Sequence, residues 1–355
     1  MTKHVVRAGA ILCATATAVL VSGCSVPSGG SGGGKAKSVV MVSTGGDLQT
    51  CLTSRIWDKF KAKAGITVVP GQQQSDGQIQ AMVTASNYPV DVVFPSAALS
   101  AGESASKYLQ PIDFTKVDKS LLVPGTYTDY AVSQDLYSWI VGYRTDKFGG
   151  RTPTGWADFF DTTKFPGKRA LPGDVDIYGV IAAALMADGV APAKLIPLDV
   201  NRAIRKLNSI KSNIVWYGTG SQGSDLLTSG EVTMGMEYNN RVTAAAASGS
   251  PVAPVWSGQI LTGDLIGVAK GDPRGADAMD LIAYLTSASV NGQFSYCAPL
   301  APTNTKAVPD PKSANSLPTA HLGQGYLVET SPEMSAYLAG HKDAITTAFK
   351  NWRSS

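Results

Sequence analysis

Few side chains in this sequence stand where covalent chemistry would need them. A nucleophilic serine requires a base within reach and a strained turn that exposes its hydroxyl. Gly29-Gly30-Ser31-Gly32-Gly33 spells the G-x-S-x-G elbow, yet it sits inside a glycine/serine run instead of between a strand and a helix. Ser221 lacks a glycine two residues before it. Ser104-Ala105-Ser106-Lys107 matches S-x-x-K, but the S-D-N and K-T-G partners of that machinery are absent. The bases open to a serine enzyme reduce to His321 and His341, both near the C-terminus. No Walker loop, HExxH or CxxC occurs, and Gly218–Gly220 does not continue to a third glycine at the right place. The residues therefore predict no catalytic group, no metal and no cofactor.

Composition narrows the class further. With 355 residues and 44% hydrophobic content, the chain can build about two lobes with sizeable cores. Its 30 basic and 27 acidic residues leave a net charge of +3, and no Lys/Arg cluster marks a nucleic-acid surface. Three scattered histidines exclude a His-rich metal site. No uninterrupted apolar run reaches ~20 residues, which excludes a multi-pass membrane protein.

The first residues read as a targeting segment. Lys3, His4 and Arg7 form a basic start, and Ala8–Val21 is a short apolar stretch of small residues. Val21-Ser22-Gly23-Cys24 then looks like a bacterial lipobox, in which Cys24 is lipidated and residues 1–23 are removed. The Gly/Ser run from Ser25 to Gly34 is a flexible tether. Two acyl chains hold a protein stably at a membrane, whereas one does not. Of four cysteines, Cys13 lies in the leader and Cys24 is taken by lipid. Cys51 and Cys297 remain, and a disulfide or two separate buried thiols are both open.

The elements that must position any site alternate strand and helix. Ser38–Ser43, Ile66–Val69 and Asp91–Phe94 read as strands, separated by helical spacing over Leu48–Lys63 and Ser75–Ser86. The alternation resumes with strands at Leu136–Tyr143, Lys168–Leu171, Ile214–Trp216, Val232–Glu237 and Leu265–Ala269. The tail Ser331–Trp352 reads as two helices. This count predicts two α/β lobes. In such sheets ligands sit at the carboxyl ends of strands, which points to loops Thr44–Asp47 and Pro95–Ala98 around a cleft.

Several blocks resemble the solute-binding lipoproteins of bacterial ABC uptake systems, specifically the spermidine/putrescine-binding group. Gly155-Trp156-Ala157-Asp158-Phe159-Phe160-Asp161, with Lys164-Phe165-Pro166-Gly167-Lys168 after it, is similar to the block that opens that family's second lobe. Ser43–Gly46, Asp91–Ser96, Gly142–Phe148, Gly230–Val232, Tyr238–Asn240 and Ala301–Asn304 add similar blocks, in order, across Val39–Lys350. The resemblance implies a Venus-flytrap fold with a mixed sheet in each lobe and a hinge of crossing strands. Its expected divisions are 1–23 leader, 24–37 lipidated cysteine and tether, 38–143 first lobe and 144–264 second lobe. Residues 265–355 would return to the first lobe and end in the C-terminal helices. The implied partners are a small organic cation of polyamine type, a membrane permease and the membrane itself, for a monomer on the extracytoplasmic face.

Position by position, the resemblance assigns Asp174 and Asp264 as carboxylates facing an amine, Tyr238 as a cleft aromatic and Ser96 as a first-lobe polar contact. Plainer roles stand beside these. Asp174 can cap the helix that follows, Asp264 can be a turn residue, and Tyr238 can belong to the core edge. Asp47 can be the N-cap of the first helix; Glu237, Trp139 and Trp216 read as structural. The aromatic box is thinned, with Thr262 where an aromatic is expected, Ile177 where an acid can stand, and no aromatic in Thr44–Asp47. A smaller or more polar solute than a polyamine therefore also fits. Sensory or scaffold lipoprotein is the alternative role, and an envelope hydrolase the more distant one.

Overall fold

The computed structural model describes residues 37–43 and 45–355. The leader, Cys24, the tether and Thr44 lie outside the described residues. Among the described residues eleven strands form two mixed sheets. The first contains β1 (Lys37–Val42), β2 (Ile66–Gly71), β3 (Val92–Val93), β4 (Val132–Ser133) and β10 (Leu265–Val268), in the order β2-β1-β3-β10-β4. The second contains β5 (Tyr137–Arg144), β6 (Arg169–Pro172), β7 (Ile214–Tyr217), β8 (Met234–Tyr238), β9 (Val252–Thr262) and β11 (Tyr326–Val328), in the order β11-β9-β5-β8-β6-β7. β1 runs parallel to β2 and β3, while β10 is antiparallel to β3 and β4. A two-lobe α/β architecture follows, each lobe with its own core. One core gathers Val39, Ile56, Phe60 and Leu281; the other gathers Ile140, Phe159, Val180 and Leu207.

The sheets are joined where strands change lobes. β4 passes into β5 through Gln134-Asp135-Leu136, and β9 passes into β10 through Gly263-Asp264. The two crossings touch, since the Gln134 N–H donates to the Asp264 carbonyl at 3.0 Å. Asn291 braces the same place, donating to the Gln134 carbonyl at 2.6 Å.

Three expectations about boundaries are corrected. All of β5 belongs to the second sheet, so the first lobe's leading segment ends near Ser133, not at residue 143. The chain after 265 does not stay with the first lobe: β11 adds to the second sheet, and Met334, Leu338, Ile345, Phe349 and Trp352 pack into the second core. The tail is one helix, Pro332–Ser354, which runs through Gly340 because Leu338 and Ile345, seven residues apart on one face, are both buried. Near the N-terminus, Gly46–Ala64 is helical as the spacing of Leu52, Ile56 and Phe60 predicts, with a π-helical turn over Thr53–Trp57.

Cys51 and Cys297 are disulfide-bonded, with Cα atoms 5.6 Å apart. The bond ties the first helix to the segment after Ala288–Asn291. Closing a loop over a separation of 246 residues restricts the unfolded chain, and such bonds contribute about 2–4 kcal/mol. Among the described residues no helix is long and apolar enough to cross a membrane.

Candidate functional site

A cleft of about 730 Å³ opens where the two sheets meet. One wall is aromatic. Trp139 and Tyr238 are direct cross-strand partners of β5 and β8, and their rings stack at 3.7 Å. Tyr137 lies two residues before Trp139, hence on the same face of β5, and meets Tyr238 edge-to-face at 5.4 Å. Trp139 is thus both core and cleft wall: its side chain is buried, yet it lines the cavity.

Carboxyl groups form the floor. Asp264, in the β9–β10 crossing, accepts a hydrogen bond from the Tyr137 hydroxyl at 3.2 Å. Burial raises its pKa, and the bonds from Tyr137 and Gln134 oppose that rise. Asp135, in the other crossing and behind the cleft lining, is 1% exposed and has an unpartnered Oδ1. Burial and then the neighbouring Asp264 charge push its pKa well up. Asp176 and Glu329 make a second carboxyl pair, lining the same cavity close enough for each charge to act on the other. Asp176 caps the helix Ile177–Ala187 by accepting from Gly179 N at 2.8 Å, while its Oδ2 is buried without a partner. Burial raises Asp176, and burial followed by the Asp176 charge raises Glu329 well above the carboxylate range. Unpaired acids in an apolar surround favour the neutral form until a cation reaches them.

The rim carries charge that is already paired. Asp76 accepts from Ser96 N at 3.1 Å and Ser96 Oγ at 2.6 Å, and meets Lys342 Nζ at 3.5 Å. That last contact links the first lobe to the C-terminal helix. Asp174 bonds Arg353 Nη2 at 3.1 and 3.2 Å and approaches Lys350 at 3.4 Å. Its side chain is 58% exposed, and the Arg353 bond holds its pKa low.

The sequence-derived residues therefore divide. Asp264, Tyr238, Ser96 and Asp174 all line the cleft. Asp174 does not cap the following helix; Asp176 does, because only its carboxyl reaches the N–H of Gly179. Asp174 meets two cations of this chain at the rim. Asp47 is a correction on both counts. It sits exposed in the first helical turn, outside the cleft lining, and the capping position is Gly45. An acid there faces the positive helix end and needs no ligand. Asp176, Glu329 and Tyr137 were missed. An acid directly before the apolar run Ile177–Ala187 is a readable cap signal, and it pointed to Asp176. Nothing local marks Glu329, which follows the three-residue strand β11.

Glu237 lies behind this wall, 1% exposed, with Oε2 unpartnered. Burial pushes its pKa from 4.5 to about 8. Between those values the unfolded chain carries the charge while the folded chain holds the proton. Stability from this group is therefore greatest below the unfolded value and declines as pH rises toward 8. Glu237→Gln should flatten that decline and stabilise the protein at pH 8 by on the order of a few kcal/mol. Urea midpoints at pH 5 and pH 8 test this; parallel pH profiles for variant and wild type would refute it.

A sequence profile of bacterial extracellular solute-binding proteins matches residues 55–319. The gamma-aminobutyric acid-binding protein of Pseudomonas aeruginosa is 31% identical over 297 residues, which cover 81% of this chain and 83% of that one. The spermidine/putrescine-binding periplasmic protein of Salmonella typhimurium is 23% identical over 308 residues, covering 84% and 82%. Among solved structures, the Atu4243–GABA receptor matches with a TM-score of 0.81 at 35% identity, over 89% of this chain and 98% of that one.

Proposed function

The chain belongs to the bacterial extracellular solute-binding protein family, and from that premise we propose that it captures a small amine-bearing solute between its lobes for an ABC permease. It is a binding protein of an uptake system and not an enzyme. The observation that carries the amine reading is the cleft floor. Asp176 buries a carboxyl oxygen without a partner, and Asp264, lining the same cavity, receives only a phenol and an amide. A dehydrated ammonium needs such oxygens, and its methylenes suit the Trp139–Tyr238 face.

The rim favours an amino acid over a diamine. Lys342 and Lys350 both line the cleft and each keeps N–H donors beyond its one carboxylate partner. They suit a carboxylate on the far end of the solute. Gamma-aminobutyrate, the ligand in the names of two relatives, has that form. Titration calorimetry with gamma-aminobutyrate and putrescine separates the readings: tighter binding of the first is expected. Tighter putrescine binding would return the site to a polyamine, and binding of neither would end the amine reading.

The protein is proposed to act from a lipid anchor at Cys24, on the extracytoplasmic face. Cys24→Ser should move it from the detergent phase to the aqueous phase on cell fractionation. Unchanged membrane retention would remove the anchor.

A further inference from the structure

We propose that solute capture in this cleft is proton-linked: the incoming ammonium displaces a proton held between Asp176 and Glu329. This rests on the amine reading above and adds to it a regulation by pH.

The geometry of the pair sets it apart from the other acids. Asp264 already receives the Tyr137 hydroxyl, and Asp174 and Asp76 already meet lysine or arginine. Asp176 and Glu329 line the same cavity with each other's charge as their neighbour and no paired cation among the described residues. Asp176 spends Oδ1 on the N–H of Gly179, and its Oδ2 is enclosed with no donor. The packing around that oxygen is close, since a methyl group on Gly179 would collide with it. Glu329 is fixed from behind by its own N–H, which donates to the Leu261 carbonyl at 2.8 Å. Two neighbouring carboxyl groups without a cation cannot both ionise cheaply, so the pair holds one proton in the free protein.

The groups facing the pair do not neutralise it. Tyr137 of β5, Tyr217 of β7 and Tyr238 of β8 present phenols that are themselves pushed up by burial and by these acids. Tyr178, on the helix that Asp176 caps, stands between the pair and the C-terminal helix, where Lys342 and Asp343 bring opposite charges. Thr262 of β9 offers Glu329 a hydroxyl. Glu237 and Asp264 are further acids around Tyr238 and bring no cation to the pair. Among the described residues no lysine or arginine forms an ion pair with either carboxyl.

An ammonium entering this floor supplies the missing donors and the missing charge. The carboxyl O–H then gives its proton to solvent, the ammonium keeps all of its own, and two carboxylates share one cation. The linkage has a definite sign. Because the free pair holds its proton above the ordinary carboxylate range, binding releases a proton and affinity rises with pH while the pair still holds it. A full proton released corresponds to about a tenfold gain in affinity per pH unit.

Calorimetry of the full chain in detergent, with gamma-aminobutyrate and putrescine as probes, tests this between pH 5.5 and 8. Repeating each titration in buffers of different ionisation enthalpy counts the protons. The expected result is release of about one proton at the lower end of the range, declining as the pair ionises. Asp176→Asn keeps the helix-capping oxygen and should abolish the release; Glu329→Gln should do the same, with circular dichroism confirming that each folds. Probe binding with a buffer-independent heat throughout would overturn the proposal while leaving the amine reading intact. Release that persists in both variants would also overturn it. No binding of either probe would remove the amine reading, and this proposal with it.

Discussion

Asp264→Asn is expected to weaken capture of an amine probe by roughly 30- to several-thousand-fold, equivalent to about 2–5 kcal/mol. The size follows from what the substitution leaves behind. An ammonium enclosed in the cleft would give up its water, and Asp264 lies where both lobes contribute walls. Charge-assisted hydrogen bonds there are stronger than neutral ones, and an amide turns toward the cation at best one carbonyl dipole. The fold should hold, since the Asn oxygen can still accept the Tyr137 hydroxyl and the backbone bond from Gln134 to residue 264 is untouched. Tyr238→Ala should cost less, about 0.5–2 kcal/mol, because it removes one face and leaves Trp139 behind it. Calorimetry on both variants decides the point, and wild-type affinity for Asp264→Asn would take the cationic end of the solute away from this floor.

The sequence made the lobes legible and the joints between them less so. Strand–helix alternation through residues 38–94 and 168–237 follows from apolar runs and helical spacing that each lobe's core then uses. β9 was not read as a strand, and its composition explains why. Pro254 and Gly258 interrupt Val252–Thr262, and Gly258 adopts a φ of +71°, which breaks the period-two pattern. The strand exists because β5 and β11 pair with its two sides, a tertiary cause with no local signature. Only the first crossing falls one strand earlier than the sequence places it, because β5 pairs with β8 and β9 and not with β4. At the site the same division holds. Residues beside a readable strand or helix end, such as Asp264, Tyr238 and Ser96, could be assigned by position. Tyr137 and Trp139 become cleft residues only because β5 starts directly after the crossing into the second sheet, and Glu329 only because β11 joins that sheet.

The crossing itself gives the last expectation. Gly263→Ala should lower stability by about 1–3 kcal/mol and also weaken solute binding. A Cβ at this position would strike the Asp135 carbonyl and come within 2.9 Å of the Ser133 side chain. These atoms belong to the other strand that changes lobes, so the clash falls on backbone that cannot rotate away. Relief requires the two crossings to separate, which stretches the bond between the Gln134 N–H and the Asp264 carbonyl. Asp264 moves with its backbone, so the cleft loses the placement of that carboxyl along with the hinge. Gly340→Ala supplies the contrast. Its Cβ would meet nothing within 4 Å on the exposed side of the C-terminal helix, and alanine there should stabilise by about 0.5–1 kcal/mol. Thermal melts paired with calorimetry read both effects. The close approach of the crossings has no role if Gly263→Ala melts and binds like wild type. Opposite signs for the two glycines would tie stability and capture to the same contact, in which one missing side chain lets both lobes share a single cleft.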